Sequence, residues 1–208
     1  MAETVLERRN PWTEALRAGR FGCDRGEPGI VATALGGVAI VNITARRGGA
    51  GALGDRLHDR LGLELPETGR SSFGKSPAGD DLTLAWDGPE RWRVWGSDPI
   101  SGGLARNLRD ALGDTAAVVD QSHGHAIMRI AGRSVRELLA KGTCVDLHPN
   151  HFQTGDCAMT TIAHIALHLT QIDDRPAYSV QLFRSMTGSF GAWLSDSGSA
   201  LGLEVVMT

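Results

Sequence analysis

The alternation of polar and apolar residues predicts both strands and helices in this chain. A short run with β-branched residues at 38–42 predicts a strand, and leucines at positions 53, 57 and 61 repeat at the spacing of one helix face. Two more strands are predicted at 82–86 and 91–95, on either side of an Asp-Gly-Pro-Glu turn, and a helix at 103–112. Prolines and glycines make 65–79 a predicted loop.

The second half of the chain repeats this order. Strands are predicted at 116–122 and 125–131, and a helix at 133–141 ends before Gly142. Apolar and polar residues alternate along 157–172, which predicts one long half-buried strand. A turn at 173–176 then leads into a hairpin strand, and Ser185 is the expected N-cap of a last helix. One face of the long strand carries Ala163, Ile165, Leu167 and Leu169, and the other carries His164, Ala166, His168 and Thr170.

These elements together predict an α+β fold. We expect two similar halves, each strand-helix-strand-strand-helix, with antiparallel sheets backed by helices. The halves span about 30–115 and 116–208 and form a single domain over 30–208. Residues 1–29 mix several glycines with charged residues, and we expect a loosely ordered N-terminal arm that packs on the domain or reaches over a partner.

Composition narrows the functional classes. Hydrophobic residues make up 41% and charged residues 22% of 208, and the net charge of −3 is spread without long runs of one sign. We therefore expect no nucleic-acid partner. No apolar run approaches the roughly 20 residues that span a bilayer, and the N-terminus has no secretory apolar region. Three cysteines cannot all pair, so the sequence predicts a reduced, cytoplasmic protein without membrane association.

Three sequence patterns contain residue types found in catalytic or ligand-binding sites, and each is weak evidence for such a site. Residues 49–54 fit the glycine fingerprint of dinucleotide sites, but no second parallel strand with an acidic end follows, so a flexible turn is favoured. The residue types of a hydrolase triad occur at Asp120, Ser122, His123 and His125. The sequence around Ser122 lacks the nucleophile elbow of such enzymes, which favours a strand end with turn hydrogen bonds. The Asp173-Asp174 pair precedes Arg-Pro and indicates a solvated turn.

Metal ligation is also disfavoured by spacing. Five ligand-type residues lie within 14 positions, but their spacing matches no standard structural zinc pattern, and we predict no metal site. His164 and His168 would lie about 13 Å apart on one strand, too far for one ion. Three tryptophans, Trp86, Trp92 and Trp95, are expected to be core or interface anchors. The five candidate ligands are Cys144, Asp146, His148, His151 and Cys157.

A series of short motifs resembles the gamma subunit of heterotetrameric sarcosine oxidase. Its members are WDGPERW at 86–92, LLAKG at 138–142, DLHP at 146–149, GDCA at 155–158 and DDRP at 173–176. The likeness is weaker over 36–95 and specific over 119–194. One departure is Cys144, which stands one place later than the cysteine that follows Lys-Gly in the family.

The resemblance implies a non-catalytic supporting chain in a flavoenzyme complex with alpha, beta and delta subunits. Such complexes oxidise sarcosine to glycine with production of hydrogen peroxide, and the one-carbon unit leaves as formaldehyde or methylene-tetrahydrofolate. FAD, FMN, NAD and tetrahydrofolate are expected on other subunits, and none on this chain. We predict contact with those subunits through Leu147, His148, Pro149 and Phe152, which are apolar or exposed groups in a predicted loop.

A more distant likeness to glycine cleavage aminomethyltransferases offers a rival function. DQSHGH at 120–125 stands where those enzymes begin a strand with Asp-x-Ser-His-x-Gly. Their folate-reacting carboxylate lies on a later strand, and residues 163–169 of this chain contain no carboxylate. The alternatives are therefore a free-standing folate-binding protein of that type and the equivalent subunit of N-methylglutamate dehydrogenase.

Overall fold

A computed structural model describes residues 10–22, 26–76, 79–98 and 102–208. These residues form two sheets and four α-helices, with three single-turn 3₁₀ helices at 113–115, 184–186 and 199–201. No helix in the described ranges is long and apolar enough to cross a membrane. The helices are α1 (Ala50–Leu61), α2 (Gly103–Leu112), α3 (Val135–Ala140) and α4 (Thr187–Gly198). The strands are β1 (Gly19–Phe21), β2 (Ile30–Leu35), β3 (Val38–Ala45), β4 (Ser71–Lys75), β5 (Asp81–Gly88), β6 (Arg91–Ser97), β7 (Ala116–Asp120), β8 (His125–Ala131), β9 (Cys157–Ile162), β10 (Ile165–Asp173), β11 (Ala177–Phe183) and β12 (Leu203–Met207).

The two sheets have matching strand orders. The small sheet runs β4-β5-β6-β3-β7, and the large sheet runs β9-β10-β11-β8-β2 and continues with β12 and β1. All described pairings are antiparallel except β12 with β2. Read along the chain, β3-α1-β4-β5-β6-α2 and β8-α3-β9-β10-β11-α4 are the same unit twice. The predicted two-fold repeat of an antiparallel α+β unit is present, with one more strand in each unit than the sequence pattern indicated.

Each predicted half contributes one strand to the sheet of the other. β2 precedes the first unit but pairs with β8 of the second, from Val31–Ala131 to Leu35–Ile127. β7 precedes the second unit but pairs with β3 of the first, from Val41–Asp120 to Ala45–Ala116. The halves at 30–115 and 116–208 are therefore interlocked rather than side by side.

Two of the predicted elements differ from the structure. Strand β4 lies within the predicted 65–79 loop and pairs with β5 at the edge of the small sheet. The predicted long strand at 157–172 is a hairpin of β9 and β10, because Ala163 and His164 form a two-residue turn with φ of 50° and 67°. Non-glycine residues seldom adopt such angles, and neither residue is a typical turn former, so the alternation gives no sign of the turn.

The outer face of each sheet packs on helices, and the inner faces pack on each other. Leucines of α1 and α2 cover the small sheet, with Leu53, Leu57 and Leu108 almost inaccessible to solvent. Helices α3 and α4 cover the large sheet, where Leu138 and Phe190 are fully buried. A third, smaller cluster joins the inner faces and contains Ile40, Ala85, Trp95, Ile127 and Cys157.

The described part of the N-terminal segment packs on the domain. Trp12 is 0% exposed, its indole Nε1 donates to the carbonyl oxygen of Ile127 at 2.8 Å, and its ring meets Phe190 edge-on at 6.0 Å. Leu16 is also buried, and β1 adds an edge strand beside β12. Of the two roles considered for the predicted arm, residues 10–22 show packing on the domain. Residues 1–9 and 23–25 lie outside the described ranges.

We expect Trp12→Ala to lower the free energy of unfolding by about 3–5 kcal/mol, because it removes a fully buried ring and the hydrogen bond that its indole donates to the Ile127 carbonyl. Urea denaturation monitored by circular dichroism measures the loss. Phe73→Ala is the matched control, because Phe73 is 47% exposed and should cost less than about 1 kcal/mol. Equal losses for the two variants would contradict an anchoring role for Trp12.

Candidate functional site

Polar side chains cover much of the inner face of both sheets. On the large sheet, His168 of β10 lies opposite Gln181 of β11, and both are 1% exposed. On the small sheet, Arg93 of β6 lies opposite Asn42 of β3, and Asp87 follows at the β5 bulge. Because the sheets pack through these faces, the polar groups form a buried layer in the middle of the molecule.

The layer contains one buried ion pair. The Arg93 guanidinium lies 3.1 Å from a carboxylate oxygen of Asp87, with side-chain exposures of 7% and 5%. The Arg93 Nε also donates to the Asn42 Oδ1 at 3.2 Å. Burial lowers the pKa of Arg93, and the charge of Asp87 opposes that effect. Removing these charges from water is costly, so loss of either partner would leave the other as an unpaired buried charge and destabilise the fold.

His168 is held neutral in this layer. Its Nε2 lies 3.0 Å from the carbonyl oxygen of Trp86, which can only accept, so Nε2 carries the proton. The Nδ1 then accepts from the Thr170 hydroxyl at 3.2 Å. Burial, with a smaller contribution from the charge of Arg93, lowers the pKa of His168 to about 4 despite the bond to Trp86. Burial likewise lowers the pKa of His125, which lies at the same end of the layer.

A small cavity opens at this end of the layer. It has a volume of about 50 Å³, and both polar atoms of the Gln181 amide and the Nδ1 of His125 have no partner there. The exposed side chains of Met159 and Phe183 line its rim. This volume suits a few water molecules and lies well below the roughly 300 Å³ of small-molecule sites.

The cavity lining includes no activated nucleophile. Cys157 lies on the same face of β9 as Met159. Its Sγ donates to the carbonyl oxygen of Arg70 at 3.2 Å. Burial raises the pKa of this thiol to about 12, so it is protonated at neutral pH. Neutral histidines, an amide and a paired arginine can hold two sheets in register.

The triad-type residues do not converge. Ser122 donates to the Asp120 carboxylate at 2.5 Å and accepts from the backbone N–H of Ile40 at 3.0 Å, so it links β7 to the start of β3. His123 is exposed, whereas His125 points inward beside Phe183 at a ring distance of 4.8 Å. The expected strand end with turn hydrogen bonds is present.

The remaining sequence candidates lie at a helix start, in turns and in the polar layer. Residues 49–54 open α1 after β3, whose neighbours β6 and β7 are both antiparallel, unlike those of a dinucleotide-binding unit. The Asp173 carboxylate accepts from the backbone N–H of Arg175 at 3.0 Å in the β10–β11 turn, and this bond lowers the pKa of Asp173. His164 lies in the β9–β10 turn and His168 is buried in the polar layer, so the single-strand geometry predicted for them is wrong.

The candidate metal ligands that the sequence analysis set aside are distributed between surface and interior. Cys144 is exposed, Cys157 is buried between the sheets, and the rings of His148 and His151 are 6.0 Å apart. Within the described ranges, no group of three or more histidine, cysteine or acidic side chains is arranged to hold a metal ion.

The four residues predicted to contact partners divide into two groups. His148 and Pro149 are exposed, whereas Leu147 and Phe152 are 5% and 6% exposed and belong to the core of the large sheet. The apolar side chains of this loop thus pack inward and fix it to the domain. Contact with a partner through His148 and Pro149 stays a prediction, and a substitution at Phe152 would test folding instead.

The sequence pattern did not indicate Arg93, Asp87 or Gln181. Strand alternation assigned His168 to a polar face, and it did not indicate that this face is covered by a second sheet. The available signal was that Arg93 shares one face of a predicted strand with Trp95, a residue type that is highly buried on average.

Comparison with known proteins agrees with this fold. A family model described as the sarcosine oxidase gamma subunit family matches residues 47–200. No curated protein sequence matches significantly. The structure is similar to one chain of the heterotetrameric sarcosine oxidase from Corynebacterium sp. U-96 in complex with pyrrole 2-carboxylate, with a TM-score of 0.73 and 22% identity over 93% of this chain and 96% of that one.

A second similar structure is glycine cleavage system aminomethyltransferase T from Bartonella henselae. The TM-score is 0.65 at 15% identity, and the match covers 86% of this chain but 48% of that enzyme. The likeness at these identities concerns the fold, and it confirms the predicted aminomethyltransferase-like α+β class.

We expect Arg93→Met to cost about 3–5 kcal/mol of unfolding free energy, because it leaves the Asp87 carboxylate buried without its partner. Urea denaturation measures the loss. The control is Arg175→Met, which removes a partner from an ion pair where the arginine is 91% exposed and should change stability by less than about 0.5 kcal/mol. A cost for Arg93→Met as small as that of the control would refute the buried pair.

Stability should fall as the pH is lowered from about 6.5 towards 4. The folded-state pKa of His168 lies below its ordinary value of 6.5, so the unfolded chain binds the proton more tightly in this window. The resulting loss of unfolding free energy approaches about 3 kcal/mol at pH 4. His168→Gln should flatten this part of the stability–pH profile measured by thermal unfolding, whereas His164→Gln in the exposed turn should leave it unchanged. An unaltered slope in His168→Gln would contradict the assignment.

Proposed function

The chain belongs to the sarcosine oxidase gamma subunit family, and we propose on that premise that it is the non-catalytic gamma subunit of a heterotetrameric flavin-dependent oxidase. Its role is to support assembly of the large subunits that bear the flavins. The observation that carries this proposal is the family match over residues 47–200. The structural match to a chain of nearly equal length in an oxidase assembly supports it, since 93% of one chain pairs with 96% of the other.

The reaction and partners proposed for the complex follow from the family. The complex would contain alpha, beta and delta subunits, which would hold FAD, FMN, NAD and tetrahydrofolate, and it would act in the cytoplasm. Sarcosine would be oxidised to glycine with release of hydrogen peroxide, and its methyl carbon would leave as formaldehyde or methylene-tetrahydrofolate. This chain would bind none of these cofactors.

A supporting role agrees with the chemistry of the polar layer. Its arginine is paired with Asp87, His168 is neutral and fully hydrogen-bonded, and the cavity beside Gln181 has a volume of about 50 Å³. This cavity is too small for a folate, since ligand cavities start at about 300 Å³. Residues 163–169 carry no carboxylate to act on a folate one-carbon unit. These features favour the subunit over the folate-binding alternative.

The exposed apolar side chains near the mouth of the layer are the proposed partner surface. Met159, Phe183 and Met186 are 49%, 55% and 41% exposed. Phe183 and Met159 line the same cavity, and Met186 follows three residues after Phe183. Methionine and aromatic residues are enriched in the buried centre of interfaces, and grouped exposure of such residues marks contact surfaces. We name Met159, Phe183 and Met186 the methionine–phenylalanine surface.

Purification of the tagged chain from its native cells tests the proposal. We expect a yellow complex with two large chains and one small chain that oxidises sarcosine. A chain that elutes alone and colourless contradicts the proposal, and a folate titration then tests the alternative. Activity with N-methylglutamate in place of sarcosine would instead identify the sister dehydrogenase.

A matched pair of variants tests the methionine–phenylalanine surface. Phe183→Asp should reduce co-purification of the large chains at least about tenfold, because it places a charge at an apolar contact. Phe73→Asp alters a phenylalanine of similar exposure, 47%, that lines a different cavity, and it should retain the complex. Circular dichroism checks that both variants are folded. Equal retention by the two variants would exclude this surface.

A further inference from the structure

A separate cavity of about 260 Å³ lies between the two sheets, at the end of their interface opposite the methionine–phenylalanine surface. The order of residues along β11 shows this, because Phe183 lines the small cavity at one end and Ser179, earlier on the strand, lines this one. On the small sheet, Phe73, Thr83 and Trp95 lie side by side on β4, β5 and β6 and line the facing wall. The cavity is therefore a cleft between two inner sheet faces.

The wall of this cleft is mainly apolar. Leu82, Ile127 and Trp95 contribute to it and are 2%, 3% and 7% exposed, whereas Phe73 is 47% exposed. These side chains form a recess rather than a raised patch, and a concave apolar site suits a small molecule better than a protein surface. An apolar cavity of about 150 Å³ holds one benzene molecule, so a volume of about 260 Å³ can hold a ring of that size with one small polar group.

Two hydrogen-bond donors lie together in the wall formed by the large sheet. Arg129 of β8 and Ser179 of β11 are directly opposite each other, so their side chains project side by side from the same face. Ser179 is 3% exposed, and its hydroxyl has no hydrogen-bond partner in the described part of the chain. Arg129 is half-buried, and its guanidinium makes no hydrogen bond or ion pair with any described residue. Buried polar groups are nearly always paired, so this pair of donors indicates a site for an acceptor.

The charges of the cleft favour an anion. Arg129 contributes a permanent positive charge and N–H donors in a planar fork, and Ser179 adds an O–H donor, a combination that suits a carboxylate. The other charged residue in the wall is Asp81, whose side chain is 90% exposed and lies 2.7 Å from the ammonium group of Lys75. Asp81 is thus paired at the surface, and the charge of Arg129 is the one available inside.

We propose that this cleft binds a small monocarboxylate whose apolar body is about the size of a benzene ring. The carboxylate lies on Arg129 and Ser179, and the apolar body lies between Trp95 of the small sheet and Ile127 of the large sheet. Such a ligand supplies the acceptor that both donors lack and removes the apolar wall from water. The site lies within this chain and does not depend on the subunit role.

Isothermal titration of the isolated full-length chain tests the proposal. The probes are benzoate, benzamide, which has the same ring without the charge, and acetate, which has the charge without the ring. We expect saturable binding of benzoate and at least about tenfold weaker binding of benzamide and of acetate. Absence of saturable benzoate binding overturns the site. Binding of benzamide or acetate as tight as that of benzoate overturns it as well, because the ion pair or the apolar wall then contributes nothing.

Substitutions locate the binding. Arg129→Met should reduce the preference for benzoate over benzamide from at least about tenfold to less than about threefold. Arg175→Met removes an arginine that is 91% exposed in the β10–β11 turn and should leave the preference unchanged. Ser179→Ala deletes the hydroxyl alone and should weaken benzoate at least about threefold, which decides the matter if Arg129→Met does not fold. Wild-type affinity in Ser179→Ala and an unchanged preference in a folded Arg129→Met would refute the assignment. None of these outcomes bears on assembly with other subunits.

Discussion

The reciprocal exchange of β2 and β7 is the constraint on which the rest of this structure depends. β2 hydrogen-bonds to β8 of the second unit, and β7 hydrogen-bonds to β3 of the first. Neither unit can separate from the other without breaking a backbone ladder, and unpaired buried backbone groups are costly. The inner faces of both sheets are consequently held together, and residues at the centre of these faces are removed from water whatever their polarity.

The buried polar layer is the direct result of that constraint. A pair of sheets packed through apolar faces would need no charges, yet this interface contains Arg93, Asp87 and two histidines. Their pairing makes the arrangement tolerable, and burial keeps His168 neutral. A layer of this kind can specify how the sheets align, because a shift in register would separate the ion pair. Its polar groups are either engaged with one another or lie beside a cavity of about 50 Å³.

Chains that share this architecture need not share an activity. The aminomethyltransferase from Bartonella henselae has this architecture in about half of its length. In this chain the proposed contact with partners lies on the methionine–phenylalanine surface, which exposes apolar side chains at the edge of the sheet interface.

Local pattern was enough to identify the repeated unit, the helices and most strands, because periodicity records which side of an element is apolar. The leucines of α1 and the apolar, helix-covered face of β10 followed from it. The order of short motifs along the chain was likewise enough to indicate the family. Tertiary structure alone decided what lies opposite each face. Alternation cannot distinguish a polar face in water from one covered by a second sheet, so it gave no sign of the roles of Arg93 and Gln181. It also cannot detect a two-residue turn such as Ala163-His164 that preserves the alternation, or show that loop residues Leu147 and Phe152 turn inward. Those outcomes depend on contacts between residues distant in sequence, which no local spacing contains.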